Sequence, residues 1–551
     1  MDTRAEAQGG DERRRRAWGL AAYFAAQVLF VLVASNAFLL RIDDSYYYFG
    51  IANHVALDGR FTFDGIHPTN GFQPLWQFLL VGVTVAARAV GVVDRYVLAH
   101  VYLILCAALN TLSAWIAFGL VDQHLGRGTR GAAVAGFFFV WIPGLTASLL
   151  GGMESAVNWP LLLSFCRLLA DGEGRVSLAD MPARRFGPLL VVSILLVYAR
   201  LDNAVILATT VVYLCLRERR AATIRMGAIW GAATLVGWAP LLLWGHRVFG
   251  SPTPVSGAVK LWNTAHFIAR AGVGRYAVEV AKAFGLSVAG LPVSAVGMGY
   301  YEVLKPIAMR LGFSLVVGVL GAVALALALG LAGRLRRMSL GPRPPAPSLL
   351  PLLAFVATIH LFMLAALFPD QWMYAGLIWY DLVEYLCLFV LAGWLGGWLF
   401  GALSEASWRR LGRGALVAGA VALVPLLAWR PGAPTECQLK LDAARWINEH
   451  LPPDAVVASD DAGVLGYFAR VPVVNLDGLV NERAYLDDYL KPGRKREYLR
   501  DAGVTHLADI SCPKPGARFR SLLHIPADAH LVYSARGNVV DLDFCIAEIN
   551  R

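Results

Sequence analysis

Apolar runs of span length recur along the first 430 positions, separated by loops that are either arginine-rich or acidic and aromatic. About twenty such residues suffice to cross the hydrocarbon core of a bilayer. The pattern predicts spans near 17–40, 97–121, 131–149, 155–170, 186–199, 203–216, 226–245, 311–333, 347–368, 381–401 and 413–429. The pair 186–199 and 203–216 is short, and reads as a pinched hairpin or as helices whose polar ends are buried in protein. The stretch "PLWQFLLVGVTVAARAVGVV" (74–93) is apolar too, but it holds Arg88 and runs into Asp94 and Arg95. It is therefore expected to be a helix packed at the outer membrane face or re-entrant within the protein, which leaves eleven spans.

Beyond residue 431 the period changes. "LDAARWINEHL" predicts an amphipathic helix, "AVVAS" and "VPVVNLD" strands, and "AYLDDYLKPGRKREYLRDAG" one or two helices. "THLADI", "AHLVYSA" and "VVDLDFCIAEI" predict further strands. About 120 residues suffice for a small α/β domain. Glycines in "DDAGVLGYF" follow a predicted strand without completing a dinucleotide fingerprint, so no nucleotide site is expected.

Charge gives the layout a direction. Placing the N-terminal "RRRR" in the cytoplasm puts "HLGRGTR", "MPARRF", "RERRAATIR", "GRLRRMSLGPR" and "SWRRLGRG" there as well, as the positive-inside rule requires. Counting 74–93 as a span would place those clusters outside. Residues 1–16 are then a basic cytoplasmic N-terminus, and 17–430 a transmembrane domain with extracytoplasmic loops at 41–96 and 246–310. Residues 431–551 form an extracytoplasmic domain. With 57% hydrophobic and 16% charged residues, the composition excludes an ordinary soluble protein. The net charge of +10 resides in loop arginines, so nucleic acid is not an expected partner. "DERRRRAWGL" enters its span without a small-residue cleavage site, which predicts an uncleaved first span. Of seven cysteines, Cys106, Cys166, Cys215 and Cys387 lie in apolar segments, and Cys437, Cys512 and Cys545 in the C-terminal region. Cys512 and Cys545 are the preferred pair should two of these join.

Ionisable residues near a bilayer core are costly and point to function. Asp43, Asp44, Glu154, Arg200, Asp202, Lys260, Asp370 and Asp381 all fall on the extracytoplasmic side of this layout. Their origin in separate loops suits a shared cleft. Arg41, Arg60, Arg200, Arg247 and Lys260 are the candidates for holding an anionic lipid headgroup. Structural readings compete at each position. An aspartate pair can cap a helix, Glu154 can cap the span that starts at Ser155, Asp202 can pair with Arg200, and Lys260 can snorkel. Tyr46–Tyr48 can form an interfacial belt or a sugar platform.

Together these segments resemble the GT-C superfamily of integral membrane glycosyltransferases, which includes protein mannosyltransferases, lipid A aminoarabinose transferase and mycobacterial arabinofuranosyltransferases. The likeness rests on "DDSYYYFGIANHVALDGRFTFDGIHPTNGFQPLW", "GGMESAV", "YARLDN", "FGSPTPVSGAVK" and "LPPDAVVASDDAGVLGYFARVPVVNLDGLVN", and covers nearly the whole chain. Leu201 replaces the family's usual proline. The resemblance implies a GT-C fold and catalysis outside the cytoplasm of a bacterial inner membrane. The implied reaction moves a sugar from a polyprenyl-phosphate donor to an envelope glycan, lipid or protein acceptor, with inversion. It implies Asp43 or Asp44 as general base, with Asp43 preferred, or the two together holding a divalent cation. Lys260 and Arg200 would stabilise the departing phosphate, and Glu154 and Asp202 would orient sugar or acceptor. His67 and Asn70 would contact sugar or, for Asn70, shape the turn. Tyr380 would supply an aromatic wall. A lipid-linked-sugar flippase or other polytopic transporter is the alternative, and should show inverted repeats.

Overall fold

The computed structural model describes residues 3–33, 42–125, 130, 134, 149–297, 346–369, 380, 382–401, 404, 406–410, 435–509, 530–536 and 543–549. The predicted spans at 311–333 and 413–429, nearly all of 131–149, and Arg41, Asp370, Asp381 and Cys512 lie outside them.

The transmembrane domain is helical. α1 runs Thr3–Val33, α4 Arg95–His124, α5 Ser155–Leu169, α6 Ala183–Ala199 and α7 Asn203–Glu218. α8 is Ala221–Phe249, α11 Leu349–Leu367 and α12 Leu382–Gly401. Five described helices, α1, α4, α8, α11 and α12, are long and apolar enough to cross a membrane. The chain is thus a multi-pass helical membrane protein with a C-terminal α/β domain.

The segment 74–93 forms one short helix. α3 covers Pro74–Ala89, and at 1.5 Å per residue its 16 residues reach about 24 Å, short of a hydrocarbon core. It packs on α2, Asp43–Asp58, where the Arg88 guanidinium donates to Asn53 Oδ1 at 2.9 Å. The long loop after α8 forms two further helices, α9 (Val255–Ala271) and α10 (Val273–Gly297).

The C-terminal domain opens with α13, Glu436–His450, whose N-terminus is closed by a capping box between Thr435 and Gln438. Its sheet comprises β1 (Val457–Ser459), β2 (Val473–Asn475), β3 (His506–Asp509), β4 (His530–Arg536) and β5 (Asp543–Glu548), ordered β2-β1-β3-β5-β4. β2, β1 and β3 are parallel, and β5 runs antiparallel to β3 and β4. α14 (Gly463–Phe468), a π-helical turn (Tyr485–Leu490) and α15 (Lys495–Asp501) connect them. The strands fall where alternation predicts them; α14 was not foreseen.

Two cores organise the molecule. One fills the helix bundle, joining Trp159, Leu163, Leu196, Leu353 and Leu386. The other crosses from the membrane domain into the C-terminal domain, joining Tyr46, Phe49, Phe63 and Trp76 to Ala444, Val464, Tyr467 and Phe544. Tyr46 packs on Tyr467 and Phe468, with ring centroids 5.4 and 5.7 Å apart. The tyrosine trio is therefore neither an interfacial belt nor a sugar platform: all three rings are buried. Arg95 reaches the same seam and donates to the carbonyls of Tyr467 and Ala469.

Candidate active site

α2 begins at Asp43, so two adjacent carboxylates start a helix and, about 100° apart, point in different directions. Asp43 turns into the C-terminal domain. Its Oδ2 accepts Gly463 N at 2.8 Å, its Oδ1 accepts Val464 N at 2.9 Å, and Lys440 Nζ of α13 lies 3.3 Å from Oδ1. Free amides at a helix start attract an anion, and here the anion is a side chain of the same protein. The glycine in "DDAGVLGYF" has a steric reason as well, since a Cβ at Gly463 would collide with the Asp43 carbonyl oxygen. Burial lifts Asp43 to about 6 against the pull of Lys440. Burial lowers Lys440 in turn, but Asp43, Glu436 and Asp461 together carry it well above its ordinary value.

Asp44 has no hydrogen bond or ion pair among the described residues. Burial, then Asp461, Asp43 and Asp477, push it up to about 7, while Lys260 pulls it down. Asp461 and Asp477 follow the carboxyl ends of the adjacent parallel strands β1 and β2, where sites of α/β sheets commonly lie. Tyr47 ties this edge to α2. Its hydroxyl donates to Asp477 Oδ2 at 3.1 Å and accepts Ala462 N and Asn475 Nδ2 at 2.9 and 2.8 Å. Burial raises Asp477 to about 7. Asp461 and Asp477 lie inside the quoted C-terminal motif but, like Lys440 outside it, are not singled out, because soluble-domain acids and lysines look like ordinary surface residues.

The second half of the site is cationic. Lys260 on α9 donates to Tyr380 Oη at 2.6 Å and lies over the Phe368 ring at 5.6 Å. No carboxylate among the described residues is within ion-pair distance of it. Arg200, in the turn between α6 and α7, stacks on the Tyr380 ring at 4.5 Å. Glu154 Oε1 lies 2.6 Å from its Nη1, and Asp202 receives both Nε and Nη2, at 3.0 and 2.7 Å. The pairing of Arg200 with Asp202 across the turn is thus present, and Glu154 joins it instead of capping α5. Glu154 reaches this position through "GGMES": Gly152 has φ +82°, and a Cβ there would meet the Phe49 ring at 2.6 Å.

The remaining candidates contact other parts of the protein. Asn70 donates to the carbonyls of Ser251 and Thr253 at 3.2 and 3.0 Å and accepts Val255 N at 3.0 Å. Its amide thus holds the start of the Lys260 helix. His67 Nδ1 pairs with Asp64 Oδ2 at 2.7 Å, and its ring lies 5.9 Å from that of Tyr498. A divalent cation shared by Asp43 and Asp44 does not fit this donor set, because both Asp43 oxygens already hold α14. Among the described residues, no group of three or more His, Cys, Asp or Glu could hold a metal ion.

Comparison with known proteins is limited. Residues 430–537 match a family model described as a domain of unknown function, DUF8728. No curated protein matches the sequence. Among solved structures, the Archaeoglobus fulgidus oligosaccharyltransferase in complex with zinc and sulfate is similar at 16% identity and a TM-score of 0.46, covering 85% of this chain and 64% of that one. This chain therefore spans less than two thirds of that enzyme's length. ArnT from Cupriavidus metallidurans, bound to undecaprenyl phosphate, is similar at 13% identity and a TM-score of 0.42, covering 96% and 98%. Both neighbours are GT-C superfamily glycosyltransferases.

Proposed function

We propose that this protein is a GT-C glycosyltransferase that moves a sugar from a polyprenyl-phosphate donor to a hydroxyl of an envelope glycan, lipid or protein acceptor. The reaction would take place on the extracytoplasmic face of a bacterial inner membrane, with the N-terminus in the cytoplasm. One observation carries the reading: of the first-loop aspartates, only Asp44 is unengaged among the described residues, and it lies within electrostatic reach of Lys260.

Asp44 is the general base. A group near 7 can both accept a proton at neutral pH and hold enough basicity to take it. The acceptor oxygen forms a bond to the anomeric carbon as its proton passes to Asp44. The bond from that carbon to the phosphate oxygen breaks, and polyprenyl phosphate leaves from the opposite face, inverting configuration. Lys260 and Tyr380 hold the phosphate and stabilise its growing charge, with Arg200 behind Tyr380. Asp43 is not the base; it latches the C-terminal domain over the site.

The test is release of polyprenyl phosphate by the purified protein from a panel of polyprenyl-phospho-sugars, with envelope extract as acceptor. Release abolished by Asp44→Asn supports the reading. Release indifferent to that change sinks the base assignment, and stoichiometric movement of intact donor across proteoliposomes would favour the transporter.

A further inference from the structure

α11 and α12 are apolar helices of span length, yet each buries one ionisable side chain, His360 and Glu384, both 2% exposed. Such residues inside spans are costly and demand a role. Neither belongs to the sequence motifs. They form one line with the cationic half of the site. Glu384 Oε1 is 2.9 Å from His360 Nδ1, and His360 Nε2 lies 3.8 Å from Asp202 Oδ2. Asp202 grips Arg200, Arg200 stacks on Tyr380, and the Tyr380 hydroxyl meets Lys260.

Asp202 precedes α7, and its side chain is 16% exposed. A carboxylate so placed can turn towards water, and the guanidinium it grips would follow. His360 stands behind it from the bundle interior, and Glu384 fixes the ring. We propose that His360 and Glu384 are positioning residues: by backing Asp202 they keep Arg200 against Tyr380, whose hydroxyl and Lys260 together receive a lipid-linked phosphate. The inference rests on the lipid-phosphate site proposed above. The competing account is a pair that only satisfies itself in the bundle.

The full-length protein in lipid nanodiscs would be titrated with undecaprenyl phosphate and, separately, with undecaprenol, for wild type, His360→Ala, Glu384→Gln and Glu384→Asp. His360→Ala and Glu384→Gln should weaken undecaprenyl phosphate binding about tenfold, the effect of losing one charge-assisted contact. Undecaprenol binding should not change, and Glu384→Asp should recover most of the loss. Unchanged phosphate binding in both variants, or equal loss of both probes with a fallen Tm, would overturn the proposal. If wild type itself shows no preference for the phosphate, the transferase reading fails instead. The position of Arg200 in a structure of Glu384→Gln then decides the positioning claim: displaced from Tyr380 supports it, and unmoved overturns it.

Discussion

Asp43 and Lys440 stand 3.3 Å apart across the seam between the first-loop helix and the C-terminal domain, and their contact gives two neighbouring aspartates separate duties. Asp43 binds protein, and Asp44 has no hydrogen bond or ion pair among the described residues. Asp44→Asn should therefore reduce polyprenyl phosphate release by about 10²–10⁴, the range for a positioned base, without lowering Tm. Asp43→Asn should lower Tm, because it takes from buried Lys440 one of its two carboxylate partners, leaving Glu436, and weakens the acceptor for the amides of Gly463 and Val464. Rate and melting measurements on both variants separate the two roles.

Activity should rise with pH through about 7, as Asp44 gives up its proton. Stability should move the other way. Asp44 and Asp477 both sit near 7 in the folded protein against an ordinary value of 3.8, so folding binds protons. Their contribution is fully present below about pH 4 and is lost as pH climbs towards 7. Melting curves at pH 5 and 8 check this, and Asp44→Asn should raise Tm at pH 8 by a few degrees.

Gly463→Ala should loosen the C-terminal domain, since a methyl group has no room beside the Asp43 carbonyl. Overpacking of this kind costs roughly 1–3 kcal/mol. Faster hydrogen exchange at the amides of Gly463 and Val464 would report it. Equal protection in variant and wild type would mean the seam accommodates the methyl.

Lys260→Met should lower kcat/KM by about 10²–10³, the usual effect of removing one preorganised donor, while Lys260→Arg should retain part of the rate. Asn70→Ala should act on the same helix from a distance. It strips partners from Val255 N and from two carbonyls, a loss of about 1–3 kcal/mol in stability, and shifts Lys260. A raised KM for donor together with a lower Tm is the expected signature.

Much of this was legible before any coordinates. Hydropathy placed α4 to α8, α11 and α12, and alternation placed all five strands, because both periods are written residue by residue. Arg88 marked 74–93 as the apolar stretch to set apart from the spans, and it folds as a 16-residue helix. Three features were not legible. The engagement of Asp43 was hidden because its partner lies 420 residues away, at Gly463. Asn70 read as a turn residue because its acceptors at Ser251 and Thr253 come from another loop. His360 and Glu384 did leave a signal, an ionisable residue within each of two apolar spans, which motif reading passed over.

The shared aromatic seam also bears on how the chain is made. Tyr47 and its partner Asp477 are 430 residues apart. At 5–20 residues per second, synthesis of that interval takes on the order of 20–90 s. Through that time the Tyr46 ring lacks Tyr467 and Phe468, and the Tyr47 hydroxyl lacks Asp477. A nascent chain halted before residue 435 therefore displays a sticky aromatic helix at the membrane surface, a natural target for holding chaperones and for quality-control proteolysis.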